Sequence, residues 1–176
     1  MGNIGNELGL NVIHLFKEAY DLTDPEVVAQ VRYYIKQSPG VSLWGSLPCT
    51  TWSSWQYMAI QKYGPKYLRK LQGRRCASLA LFTAFVELAA LVVEGGGEVS
   101  FEWPRHCIGC AQVPVSRFIA NFGLHEGLCD GCTFGMTDSD GYPVLKPWGM
   151  VTTSKSLAWN LSQCHCFMAQ ISTTPC

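Results

Sequence analysis

The sequence predicts an α/β protein with a Rossmann-like three-layer fold and a mostly parallel sheet. Two short apolar runs, residues 41–44 and 98–104, have the length and composition of strands, and a long helical pattern lies between them. A strand-helix-strand unit of this kind makes parallel neighbours in one sheet. The chain has 176 residues, of which 48% are hydrophobic, so we expect a single domain over residues 1–176 with a packed core.

The elements before this unit are a strand and a helix. Residues 11–16, Asn-Val-Ile-His-Leu-Phe, predict a strand. Thr23 or Asp24 then caps a helix that has Pro25 at its first position and runs to about Gln37. One side of this helix is apolar and is expected to face the core, through Val27, Val28, Val31, Tyr34 and Ile35.

The first strand of the unit ends in a turn that carries a cysteine. Gly45 and Pro48 stop the strand, so Cys49 lies just past its carboxyl end, where open α/β sheets bind ligands. A thiol on a stiff turn has the access and fixed direction that a nucleophile needs. A small buried cysteine that only fills space is the alternative interpretation at this point.

The second strand of the unit ends in an acid. A helix from about Gly73 to Val93 leads into it, and Glu102 stands at its end, so Glu102 and Cys49 are expected to converge if the two strands are neighbours. The apolar part of the helix contains Glu87, which is costly in a bilayer, so we predict a core helix and no membrane association.

The C-terminal third predicts fewer elements. We expect a helix over residues 115–122, a hairpin-like loop over residues 137–142 and an extended edge segment over residues 146–153. The cysteine-rich tail, residues 154–176, shows no clear element.

Charge and cysteine content set limits on partners and compartment. Thirteen basic residues balance thirteen acidic ones, which argues against a stand-alone nucleic-acid-binding protein. Residues 50–75 nevertheless interleave aromatic and basic side chains, which fits either a flipped base with its phosphates or a solvated segment. The nine cysteines are odd in number, and the N-terminus lacks a signal-peptide pattern, so an intracellular, reducing compartment is expected, without distinction between nucleus and cytoplasm.

Two Cys-X-X-Cys pairs define a competing hypothesis. The pairs are separated by 18 residues, a spacing typical of structural zinc sites. They would make the chain a non-catalytic domain that binds zinc or a partner, through Cys107, Cys110, Cys129 and Cys132.

The two strand ends together carry a family resemblance. Residues 45–53, Gly-Ser-Leu-Pro-Cys-Thr-Thr-Trp-Ser, resemble the catalytic loop of DNA cytosine-5 methyltransferases, and residues 101–104, Phe-Glu-Trp-Pro, resemble the family's Phe-Glu-Asn-Val strand. The resemblance spans roughly residues 11–153 and implies S-adenosylmethionine as cofactor and cytosine C5 in nucleic acid as the methyl acceptor.

The resemblance also assigns roles to individual residues. It implies Cys49 as the nucleophile and Glu102 as the carboxyl group on N3 of the base. It implies a cofactor site formed by Asp21, Leu22, Ser46 and Pro48. It implies a substrate site formed by Thr50, Trp52, Ser53, Arg75 and Lys146, and no metal site.

The chain departs from the family at several motifs. No glycine-rich cofactor loop precedes Asn11, Thr50 replaces the usual Gln, and Trp103 replaces the usual Asn. We therefore expect a fragment or an inactive relative, with a sheet edge left open to dimerisation or aggregation.

Overall fold

The fold comes from a computed structural model that describes residues 9–16 and 20–166. It contains four helices and four strands in these ranges, joined in part by 3-10 turns. In chain order they are α1 Pro25–Gln37, β1 Leu43–Gly45, α2 Trp55–Glu94, β2 Val99–Pro104, α3 Val113–Asn121, β3 His125–Asp130, β4 Pro147–Thr152 and α4 Lys155–Leu161, with 3-10 turns at Thr50–Trp52, Ile108–Ala111 and Gly131–Phe134.

The four strands form one mixed sheet in the order β1-β2-β4-β3. Strands β1 and β2 are parallel, whereas β4 is antiparallel to both of its neighbours. The α/β class is confirmed, but the mostly parallel sheet is wrong for the described residues. The reason is that β3 returns to β4 through a loop rather than through a crossover helix, and such a return gives an antiparallel pair.

Helix α2 is the long crossover between the two parallel strands. It is kinked at Gly64, whose φ of 66° suits only glycine without strain, and at Pro65, which has no backbone N–H to donate. Among the described residues, α2 is the one helix whose length and composition would allow it to cross a membrane. Its second half packs within the protein, where Phe82, Phe85 and Leu88 are almost fully buried.

The main core is an aromatic cluster between α2, β2 and α3. Phe82 lies at its centre, with ring centroids 5.3 Å from Phe101, 5.6 Å from Phe118 and 6.3 Å from Trp103. A smaller cluster joins α1 to α2 through Val28, Val31, Ala84 and Leu88. Helix α1 begins as predicted, because the Asp24 side chain accepts a hydrogen bond from the backbone N–H of Glu26 at 2.9 Å.

Several predicted elements differ from those observed. Residues 11–16 form no strand. The strand predicted at residues 41–44 begins only at Leu43, and Trp44 is about half exposed because β1 is an edge strand. The segment predicted as an edge, residues 146–153, instead contains β4, which lies between β2 and β3. Strand β3 and helix α4 were not predicted.

Candidate functional site

The ends of β1 and β2 bring a serine and a glutamate together. The parallel register pairs Gly45 with Phe101, so the next residues, Ser46 and Glu102, are neighbours at the carboxyl edge. The Ser46 hydroxyl donates a short hydrogen bond to Oε1 of Glu102. Gly45 is required for this close pairing, because a Cβ atom there would lie 2.5 Å from the Phe85 ring. The strands that lead to Cys49 and Glu102 are therefore neighbours, which is the condition for the predicted convergence, and the turn contacts Glu102 through Ser46.

A second contact fixes the cysteine loop to the same strand. The buried indole of Trp103 donates from Nε1 to the backbone carbonyl of Leu47 at 2.7 Å. Pro48 follows and is exposed, and Cys49 is partly buried at the start of the 3-10 turn, where its carbonyl accepts from the Trp52 N–H at 2.9 Å. The loop that carries the candidate nucleophile is thus held on both sides.

Three ionisable side chains near Cys49 affect the pKa of its thiol. Burial raises the pKa of the Cys49 thiol, and the nearby Cys107 and Glu102 raise this pKa further. The Lys146 ammonium opposes them and lowers the same pKa. Lys146 reaches this edge because β4 runs against β1 and β2, so the residue just before β4 lies where those strands end. The environment therefore favours the neutral thiol in the unbound protein.

The remaining predicted substrate residues mostly hold the loop. Trp52 is buried in the core and donates from Nε1 to the Ser78 hydroxyl at 2.8 Å. Arg75 donates to the Thr51 carbonyl at 3.1 Å, and its guanidinium lies 5.1 Å from the centre of the Trp52 ring. These contacts join the loop to α2.

Thr50 and Ser53 contact the first turn of α2. The Thr50 carbonyl accepts from Nε2 of Gln56 at 2.8 Å, and the Ser53 hydroxyl accepts from the Trp55 N–H at 3.3 Å. Thr50 is exposed and follows Cys49 directly, so it is accessible to a substrate.

The residues assigned to S-adenosylmethionine do not make a site that fits it. Asp21 Oδ1 accepts two hydrogen bonds from Thr23, and Leu22 packs against the cluster between α1 and α2. The Ser46 hydroxyl donates its hydrogen bond to Glu102. Ser46 and Pro48 are exposed, whereas Asp21 and Leu22 are partly buried, and proline has no N–H to donate to an adenine.

The four cysteines of the zinc hypothesis lie in two separate environments. The thiols of Cys107 and Cys110 interact, which raises the pKa of Cys107 and lowers that of Cys110, whereas the neighbouring Cys166 raises the pKa of Cys132. Burial raises the pKa of Cys129, and the neighbouring Cys164 raises it further. Within residues 9–16 and 20–166, no group of three or more His, Cys, Asp and Glu side chains is placed to hold a metal ion.

Acidic and basic residues are distributed unevenly along the chain, although their total numbers are equal. None of the 13 acidic residues lies between Glu26 and Glu87, whereas eight of the 13 basic residues do. Six of the eight are on the first half of α2: Lys62, Lys66, Arg69, Lys70, Arg74 and Arg75. In the described part of the chain none of these six forms an ion pair, and all but Arg75 are exposed. This basic segment coincides with the part of residues 50–75 in which the sequence interleaves aromatic and basic side chains.

The ammonium of Lys146 is expected to lower the pKa of the Cys49 thiol. Because its positive charge favours the thiolate, Lys146→Gln should raise the Cys49 pKa and slow alkylation of Cys49 at neutral pH by roughly two- to five-fold. Rates are followed by mass spectrometry of the Cys49 peptide across pH, where both proteins should react faster as pH rises. Lys155→Gln, an exposed lysine at the start of α4, is the matched control. Equal rates for Lys146→Gln and wild type would contradict the prediction.

Comparisons with known proteins identify no relative. No protein-family model, no curated protein and no solved structure matches this chain.

Proposed function

We propose that this protein binds nucleic acid and that Cys49 adds covalently to C6 of a cytosine base, as a divergent relative of the cytosine-5 methyltransferases. The observation that carries the proposal is the joining of the Pro-Cys loop to the glutamate strand. Two hydrogen bonds make this junction, from Ser46 to Glu102 and from Trp103 to Leu47. A nucleophile and a carboxyl group are thereby presented at one edge of the sheet.

The chemistry follows from these two groups. The Cys49 thiolate forms a bond to C6, the electron pair of the C5–C6 double bond becomes a C4–C5 double bond, and the π pair between C4 and N3 moves onto N3. Glu102, in its carboxylic acid form, stabilises the adduct by donating a hydrogen bond to N3. The raised pKa of Cys49 means that its proton must leave during binding, and Lys146 favours that loss. C5 then has the electron density that an electrophile requires.

The basic segment of α2 supports nucleic acid as the partner. Its exposed cations suit a phosphate backbone, since Lys and Arg side chains that neutralise phosphates release the counterions condensed on the nucleic acid. Tyr57 and Tyr63 on the same half of α2 are both 58% exposed and offer rings on which bases stack. The base must leave the duplex, or come from a single strand, to reach Cys49.

Methyl transfer is a separate part of the proposal. The resemblance implies S-adenosylmethionine, but the assigned residues do not form its site. We therefore propose that this chain performs the covalent addition. Methyl transfer additionally requires a complete S-adenosylmethionine site.

Cys49→Ser is expected to abolish covalent capture of nucleic acid. The probe is an oligonucleotide with 5-azacytosine, in which the ring nitrogen at position 5 makes C6 more electrophilic, presented both as a single strand and as a duplex. Wild-type protein should give a band that survives denaturing electrophoresis, and the variant should give none, because serine is a far weaker nucleophile at neutral pH. Cys76→Ser removes an exposed cysteine on α2 and should leave capture unchanged.

The outcomes separate the two parts of the proposal. Absence of an adduct with wild-type protein, or an adduct that persists in Cys49→Ser, would overturn the assignment of the nucleophile. A parallel assay with 5-fluorocytosine DNA and S-adenosylmethionine traps only the methylated adduct. A positive result there would show that the cofactor binds despite the poor fit, and a negative result beside a positive 5-azacytosine assay would limit this chain to covalent addition.

A further inference from the structure

A compact turn with two cysteines follows β2 directly. Cys107 and Cys110 flank the start of the 3-10 turn Ile108–Ala111, and the backbone N–H of Cys110 donates to the Cys107 carbonyl at 3.0 Å. Cys107 is 8% exposed and belongs to the aromatic core, whereas Cys110 is exposed. A Cys-X-X-Cys pair between a strand and the helix that follows it is the arrangement of dithiol redox motifs in proteins of reducing compartments.

The turn is held rigidly by its packing. Gly109, between the two cysteines, is buried, and a Cβ atom there would lie 2.4 Å from the Trp103 ring and 3.0 Å from Trp52. The turn thus packs against Trp103, whose indole donates the hydrogen bond to Leu47 in the Cys49 loop. Rigid support keeps the two thiols close together, which favours ring closure over reaction with a separate thiol.

The two thiols are already distinguished from each other. Cys107 is buried and Cys110 is exposed, and the interaction between their thiols lowers the pKa of Cys110 and raises that of Cys107. The exposed sulfur therefore has more thiolate character, and the buried sulfur keeps its proton. This is the division between an attacking and a resolving thiol.

We propose that Cys107 and Cys110 form a redox-active dithiol that closes reversibly to a disulfide beside the Cys49 loop. The oxidant is a low-molecular-weight disulfide. The Cys110 thiolate attacks one of its sulfurs, forms a mixed disulfide and releases one thiolate. Cys107, on losing its proton, attacks the Cys110 sulfur and releases the second thiolate, so two protein thiols are oxidised and one disulfide is reduced to two thiols. This proposal does not depend on nucleic-acid binding or on base chemistry.

The test uses the native protein and oxidised glutathione. Arg105 and Arg117 bracket a tryptic peptide that contains Cys107 and Cys110 and no other cysteine. After incubation in glutathione buffers and quenching with an alkylating agent, this peptide should lose the mass of two hydrogen atoms and take up no alkyl group. Excess reducing agent should restore two alkylation sites.

Two controls come from the same chain. Cys129 and Cys132 have the same spacing, but their thiols lie next to Cys164 and Cys166, so they should form no internal link under the same conditions. In single variants, Cys110 in Cys107→Ser should be alkylated at neutral pH about ten-fold faster than Cys107 in Cys110→Ser.

The proposal fails if the peptide keeps both alkylation sites, or carries glutathione on Cys110 with no internal disulfide, at every glutathione ratio. It also fails if Cys129 and Cys132 link as readily as Cys107 and Cys110, since the packed turn would then confer nothing. Because exposed Cys110 is removed with little effect on packing, Cys110→Ser remains a folded reference in which no internal link is expected.

Discussion

Phe82→Ala is expected to lower the free energy of unfolding by about 3–5 kcal/mol, the range for loss of a buried phenylalanine. Phe82 is 1% exposed, and its ring meets Phe85, Phe101, Trp103 and Phe118. Its removal leaves a cavity that rigid aromatic neighbours fill poorly. Urea unfolding followed by Trp fluorescence measures the change, which is a large part of the stability of an ordinary domain.

Phe134→Ala is the matched control for this prediction. Phe134 is 54% exposed at the end of the 3-10 turn Gly131–Phe134, and its ring is tilted against that of Trp148, with ring centroids 6.5 Å apart. Its replacement should cost less than about 1 kcal/mol. Equal losses for the two variants would show that Phe82 is not at the centre of the core.

Neutralising the basic segment of α2 is expected to remove most of its electrostatic binding to nucleic acid. In the variant Lys66→Gln, Arg69→Gln, Lys70→Gln and Arg74→Gln, the slope of log affinity against log salt should fall by about one for each side chain that contacts a phosphate. All four residues are exposed and none forms an ion pair in the described part of the chain, so their loss should leave the fold intact. Fluorescence anisotropy with a labelled oligonucleotide at several salt concentrations gives the slope.

A double variant outside this segment serves as control. Arg117→Gln and Lys155→Gln remove two exposed cations from α3 and α4, beyond the acid-free segment. They should change the salt slope by less than one. A slope that is the same for all three proteins, or no binding by wild type, would overturn nucleic acid as the partner of α2.

The sequence predicts the local parts of this fold well and its long-range pairing poorly. Helix α1 has its cap and its apolar side in plain view, and β2 has clear alternation. Strand β3 has the sequence His-Glu-Gly-Leu-Cys-Asp, which contains no β-branched residue, and it becomes a strand only because it pairs with β4 along its whole length. The reversal of β4 is likewise a property of the pairing, so no local pattern indicates it.

The candidate site divides in the same way. Cys49 and Glu102 were predicted because each was expected at the end of a recognisable strand, although β2 continues beyond Glu102 to Pro104. Lys146 was expected near them only from the family resemblance, and the physical reason for its approach, the antiparallel course of β4, appears only in the structure. The use of Trp52 and Arg75 to hold the loop also could not be predicted, since it depends on the docking of that loop against α2.

The hydrogen bond between Ser46 and Glu102 joins residues that are 56 positions apart in the chain. This hydrogen bond forms only after β1 and β2 have paired. The chain between these two strands includes the whole of α2, which has 40 residues. Closing so long a loop is entropically costly and slow compared with local contacts. We therefore expect the contact between Ser46 and Glu102 to form late in folding, and a nascent chain that ends within α2 to contain Cys49 but not the strand that carries Glu102.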